Sequence, residues 1–176
     1  MSNDLLNGLG AVGPAGDRAG KMALYEWLVG RWTIDAVFYT GDGKSNNESG
    51  DIWAGWILEG RAIQDVWSVP GFFHGTTLRV YDPGLDAWHI IWSDPLKQYY
   101  THQIGRADGR NIVQEGTNNA GELVRWSFSD ITGSSFHWRG ECSRDGGKSW
   151  ATRTYMSAHR IPTRSNSPRP ASESIT

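Results

Sequence analysis

The chain contains one cysteine, Cys142, in 176 residues. An internal disulfide is excluded, and a reducing cytoplasm is the expected setting. No apolar run approaches the roughly 20 residues that a membrane-spanning helix needs, so no membrane partner is expected. Met1 to Gly20 is rich in Gly and Ala and lacks a basic segment followed by an apolar one, so no secretory signal is expected. Basic excess is also missing. Lys and Arg number 17 against 19 Asp and Glu, and they are dispersed along the chain. Nucleic-acid binding, which calls for a basic patch, is therefore not expected. The histidines, His74, His89, His102, His137 and His159, form no His-x-His or His-x3-His pair, so no metal site is expected. Gly-x-Ser-x-Gly, P-loop and dinucleotide fingerprints are absent too.

What the chain has in quantity is tryptophan, ten residues, together with 22 glycines. With few helix-forming runs, this composition points to an all-β protein. Trp fills core volume well, and it also supplies flat amphipathic walls for an aromatic or apolar ligand. Composition leaves both readings open.

The length suits one domain. Residues 1–20 read as a flexible tail. Lys21 to Val29 is the one good helix candidate, with Leu24, Trp27 and Leu28 on one face and Gly30 as the stop. After Gly30 the period changes to two, and turn signals recur about every ten residues. Ten strands are predicted: 31–39, 50–58, 61–69, 72–81, 87–93, 98–104, 110–115, 122–129, 134–143 and 149–158. Short turns between consecutive strands favour an antiparallel up-and-down β-barrel, whose closure removes exposed edges. Beyond His159 the chain turns Pro-, Ser- and Arg-rich and reads as a disordered tail. The domain is thus residues 21–159.

Gly30-Arg31-Trp32, after a short helix and at the head of the first strand, resembles the Gly-x-Trp signature of the lipocalin/calycin superfamily. That resemblance implies a Trp packed across the closed end of a barrel. The segments Leu58 to Trp67, Gly75 to Pro83 and Trp126 to Thr132 resemble bacterial proteins of the DUF1579 type, a calycin-like group. The likeness covers about residues 24–157 and implies a fold rather than an activity. Nitrobindin-like relatives in this superfamily bind haem through a late histidine, which invites comparison with His159. Trp32-Thr33-Ile34-Asp35 lacks their Gly-x-Trp-x-Gly-x-Gly pattern, so no cofactor is expected. Ser143 to Trp150 fits the Asp-box pattern, whose meaning is structural: Ser143 and Asp145 bond the turn's backbone, Gly147 permits positive φ, and Trp150 packs beneath.

The stretch Arg61-Ala62-Ile63-Gln64-Asp65-Val66-Trp67 alternates like a strand yet carries charge. Charge on a core face is costly unless it is paired or used. If Ile63 and Trp67 face inward, so do Arg61 and Asp65, about 13 Å apart and too far to pair with each other. In the opposite phase Gln64 replaces both. Apolar phasing of the later strands puts His74, Tyr100 and His102 inside, walled by Trp56, Trp67, Trp92 and Trp138. His137, Arg139 and Glu141 fall outside, and the phase of the tenth strand is ambiguous.

The reading favoured by these residues is a binder of a small hydrophobic or aromatic molecule. Arg61, Gln64, Trp67, Trp56, Trp92, Tyr100 and Trp138 are its expected contacts. The alternative is a cofactor-independent isomerase, cyclase or lyase acting on a hydrophobic metabolite, with proton transfer by Asp65, His102 or His74. A third reading is an interaction protein that forms a homodimer through outward Trp residues such as Trp53.

Overall fold

Alternation of buried and exposed residues runs through almost every strand of the computed structural model, which describes residues 4–162. In β1 (Gly30–Tyr39), Trp32, Ile34 and Ala36 are buried while their neighbours face solvent. The remaining strands are β2 (Ser45–Ile57), β3 (Ala62–Val69), β4 (Phe73–Asp82), β5 (Ala87–Asp94), β6 (Tyr99–Asp108), β7 (Asn111–Asn118), β8 (Leu123–Ser129), β9 (Ser135–Ser143) and β10 (Ala151–Arg160). Each pairs antiparallel with its sequence neighbours, and β10 pairs back onto β1 from Trp32↔Arg160 to Phe38↔Thr154. The ten-strand meander is a closed barrel, so it has no free edge. Among the described residues, no helix is long and apolar enough to cross a membrane.

One end of the barrel is plugged. Helix α2 (Ala19–Glu26) has only eight residues and would not hold alone. Its buried stripe is Met22 and Tyr25, continued by Leu28, all fully buried. This differs by rotation from the face expected through Leu24, Trp27 and Leu28; Leu24 and Trp27 are only partly buried. Burial of such side chains is worth about 1.5–3 kcal/mol each and holds the helix in place. Trp32 closes this end: its Nε1 donates to the Leu28 carbonyl at 2.8 Å, and its ring meets Phe136 edge-on at 4.9 Å. Arg160 lies over the same ring at 4.0 Å and donates to the carbonyls of Val29, Gly133 and Trp27. Gly30 is required here. Its φ is +129°, and a Cβ would stand 2.6 Å from the Arg160 guanidinium.

The segment expected as a loose N-terminal tail is laid against the same end. Helix α1 (Asp4–Leu9) precedes a bridge between Gly10 and Ile57, and Ala15 donates to the Gly60 carbonyl at 2.9 Å. Residues 163–176, which hold most of the expected C-terminal tail, lie outside the described residues.

The Asp-box turn between β9 and β10 forms as its residues predict. Asp145 accepts from the Ser149 amide at 2.9 Å and from the Ser143 hydroxyl at 2.8 Å, and the Gly147 amide donates to Ser143 Oγ at 2.9 Å. The Ser149 hydroxyl is the strongest of the influences that hold the Asp145 carboxyl down at about 2, from its ordinary 3.8. A depressed folded-state pKa means stability present above 3.8 and lost as pH falls through about 2. Hydrogen exchange at residues 146–149 is therefore expected to speed up as pH drops through that window, after correction for the intrinsic rate. Asp145→Asn should show the fast rate already at neutral pH, and equal rates in the two proteins would remove the carboxylate from the turn.

Candidate functional site

Strand phase decides what faces the interior. In β3, Ile63, Asp65, Trp67 and Val69 are buried, and Gln64 is turned out to Thr76 at 3.1 Å. Arg61 precedes the strand and lies outside the barrel, its guanidinium paired with Asp17 at 2.8 and 2.9 Å. Neither Arg61 nor Gln64 is therefore an interior residue. Asp65 is interior, 1% exposed, and its partner is one that apolar phasing of β4 had turned outward. Arg79 NH2 stands 2.9 Å from Asp65 Oδ2. The Thr77 amide donates to Oδ1 at 3.2 Å. Burial pushes the Asp65 carboxyl up from its ordinary range, opposed chiefly by the charge of Arg79 and the hydrogen bond from Thr77.

Strands β4 and β6 run opposite to the expected phase. Gly75, Thr77, Arg79 and Tyr81 face inward from β4, and Thr101, Gln103 and Gly105 from β6. His74, His102 and Tyr100 consequently lie on the outer surface. His74 contacts Ser68 at 3.0 Å, and Tyr100 donates to Gln98 at 2.9 Å. His102 sits 2.9 Å from His89, which reaches Asp82 at 3.1 Å. His137 and His159 also belong to outward positions of β9 and β10. Among the described residues, no histidine lines the interior cavity, and no group of three or more His, Cys, Asp or Glu is placed to hold a metal ion. The outward position of His159, at the plugged end, also takes it away from any haem in the barrel.

The inward polar residues form a layer between the plug and the open end. Gln114 donates to the Tyr25 hydroxyl at 2.8 Å, and Gln103 to Thr101 at 3.1 Å. Burial pushes the Tyr25 phenol up to about 12, so it stays protonated. The Arg79 guanidinium lies over the rings of Tyr25 at 5.3 Å and Phe128 at 5.8 Å.

Above that layer is a cavity of about 390 Å³, within the range of small-molecule sites. Its wall is a continuous run of aromatic contacts. Trp67 meets Trp138 at 5.8 Å, Trp138 meets Trp126 at 5.4 Å, and Trp126 meets Trp92 at 6.0 Å. Phe73 follows at 5.9 Å from Trp92, and Phe38 stacks on Phe72 at 4.4 Å. Trp138 folds back over Gly140, where a Cβ would stand 2.6 Å from its ring. Trp67, Trp92 and Trp138 were legible as wall residues. Trp56 faces inward but packs in the core away from the cavity lining, and Trp53 lies outside with Arg31 over its ring.

Polar groups ring the mouth: Lys97, Tyr99, Asn118, Glu122, Arg144 and Arg153 all line it. Glu122 is held below its usual range, first by the Asn118 amide and then by Arg144 at 2.6 Å. Arg153 owes its position to a shift in the β9–β10 register between Thr152 and Thr154. Such a bulge turns consecutive residues to one face. Arg153 and Thr154 both line the cavity, and Arg153 Nε reaches Cys142 Sγ at 3.0 Å. The bulge also explains why the alternation of the tenth strand is ambiguous in sequence.

No family model matches the chain, and no curated protein does. Its shape is similar to the crystal structure of Rv2717c from M. tuberculosis, with a TM-score of 0.58. That likeness covers 85% of this chain and 99% of the other at 11% identity, so it is a likeness of fold alone.

Proposed function

We propose that this protein binds a small hydrophobic or aromatic molecule inside the barrel. The observation that carries the proposal is the aromatic-walled cavity of about 390 Å³, which the ten-strand barrel leaves unfilled by its own side chains. Flat Trp and Phe faces suit an apolar or aromatic body, and the polar mouth sets it apart from a closed core void. The Gly30-Arg31-Trp32 entry, the helical plug and the closed meander also support a calycin-like membership. Proton transfer through His74 or His102 is at odds with their outer positions, and Asp65 sits behind the cavity wall rather than on it.

The single cysteine supplies the test. Cys142 lines the cavity. A lipophilic probe such as N-phenyl-1-naphthylamine is expected to quench Trp emission, to saturate at one per chain, and to slow alkylation of Cys142 by N-ethylmaleimide. Protein alkylated beforehand should no longer bind. Quenching that leaves Cys142 alkylation untouched would place the probe elsewhere and overturn the proposal.

A further inference from the structure

We infer that the occupant of the barrel carries an uncharged hydrogen-bond acceptor at its deep end, a ketone, ester or amide carbonyl, received by Arg79 and Trp67. The inference rests on the binding reading above and narrows its ligand class. Arg79 and Trp67 stand on the cavity wall, 1% and 4% exposed. Arg79 Nε, Arg79 NH1 and Trp67 Nε1 have no hydrogen-bond partner among the described residues. Buried donors are nearly always satisfied, and one left without an acceptor is costly. Two side chains with spare donors on one wall, at the inner edge of an aromatic belt, make a site for an acceptor. An acceptor arriving there meets N–H groups that have no well-formed hydrogen bond of their own, in competition with the Asp65 carboxylate, on which the Trp67 side chain already acts, and with the unpartnered side-chain oxygens of Gln103 and Gln114.

The charge state of that acceptor follows from Asp65. Arg79 NH2 is already 2.9 Å from the Asp65 carboxylate, and the Thr77 amide is committed to the same carboxylate. The ion pair is close to neutral as a unit. A ligand carboxylate would bring a second anion beside Asp65 in a poorly solvated site, where like charges repel strongly. A carbonyl oxygen takes the spare N–H groups without that repulsion. The body behind the carbonyl lies among Trp92, Trp126 and Trp138, whose faces accept a bicyclic aromatic ring system.

Three naphthalenes of similar shape separate the outcomes: 2-acetylnaphthalene, 2-ethylnaphthalene and 2-naphthoate, each titrated by Trp quenching. The ketone is expected to bind about tenfold tighter than the hydrocarbon, the gain of one good buried hydrogen bond. The naphthoate should bind more weakly than the ketone. In Trp67→Phe, and in the double variant Asp65→Leu with Arg79→Met, the ketone's advantage over the hydrocarbon should shrink toward unity. Circular dichroism confirms that each variant is folded. Ketone and hydrocarbon binding alike to the unaltered protein would overturn this inference while leaving the binding reading intact. Naphthoate binding more tightly than the ketone would overturn it too. Failure of all three to bind would overturn both.

Discussion

Arg79→Met is expected to lower the unfolding free energy at neutral pH by about 3–5 kcal/mol, the usual cost of removing one partner of a buried ion pair. The side chains of Arg79 and Asp65 are 2% and 0% exposed, so bulk water cannot take over from the lost guanidinium. What remains is a buried carboxylate that keeps the Thr77 amide but has lost its counter-charge. Asp65→Asn should also destabilise, because it strands the arginine instead. The double variant Asp65→Leu with Arg79→Met should recover most of the loss, since replacing a buried pair by apolar residues of similar volume is often neutral or stabilising. Urea unfolding followed by Trp fluorescence measures all four proteins, and Asp65→Leu alone, added as a fifth, closes the cycle that gives the coupling between the sites. The pH dependence follows from the same geometry. Burial raises the Asp65 carboxyl, and removing Arg79 takes away the main opposing influence. A raised folded-state pKa means that the folded protein holds the proton more tightly than the unfolded chain. Arg79→Met should therefore be most stable at low pH and lose stability as pH rises through the raised value. A single variant costing under about 1 kcal/mol, or a double variant no better than the singles, would show that the pair is not the keystone of this layer.

Much of the barrel was legible from period and punctuation. Each of the ten strands falls where alternation and a turn signal predict it, with ends shifted by a few residues. The phase of β1, β5 and β9 was also legible, because bulky apolar residues such as Trp32, Ile34, Trp88, Ile90, Trp92, Phe136 and Trp138 mark the inward positions, while the outward ones are mostly polar, with Val37 and Ile91 as exceptions. The same rule failed in β4 and β6 for one physical reason. These strands contribute the polar layer, so their inward residues are Thr77, Arg79, Thr101 and Gln103, while Leu78, Val80 and Ile104 lie outward and half-buried. A signal for β4 was nevertheless present. Partners in an antiparallel pair point to the same face. The tight turn at Pro70-Gly71 sets Val69 opposite Phe73 and hence Trp67 opposite Gly75 and Asp65 opposite Thr77. An inward Asp65 therefore carries Thr77 and Arg79 inward with it, whatever the hydrophobicity of Leu78 and Val80. The hairpin register, rather than the apolar pattern of either strand alone, identifies the partner of the buried carboxylate. The inward turn of Arg153 had no comparable signal, because a bulge is set by the register of two strands and leaves no mark in the composition of one.

Trp32→Ala is expected to cost about 3–5 kcal/mol, the range for truncating a fully buried aromatic to alanine. The loss has three parts at one place. The ring gives up its edge-on contacts with Phe136 at 4.9 Å and Trp27 at 6.2 Å. The Leu28 carbonyl loses the indole N–H that satisfies the end of the helical plug. Arg160 loses the face it lies on while still tied to the carbonyls of Val29 and Gly133. Trp32→Phe keeps an aromatic body in the site and removes chiefly the N–H, so about 1–2 kcal/mol is expected from that change. Both losses sit at the plugged end, and Trp32 is not among the residues that line the aromatic cavity. Stability and binding should therefore separate. In Trp32→Phe the midpoint of urea unfolding should fall, and amides of α2 should exchange faster before those of the barrel strands. Probe affinity measured by protection of Cys142 should stay within twofold of the unaltered protein. A parallel loss of affinity and stability would mean that the plug and the cavity are one cooperative unit. In that case the polar layer of Asp65, Arg79 and Gln114, which lies between them, would be transmitting the disturbance rather than absorbing it.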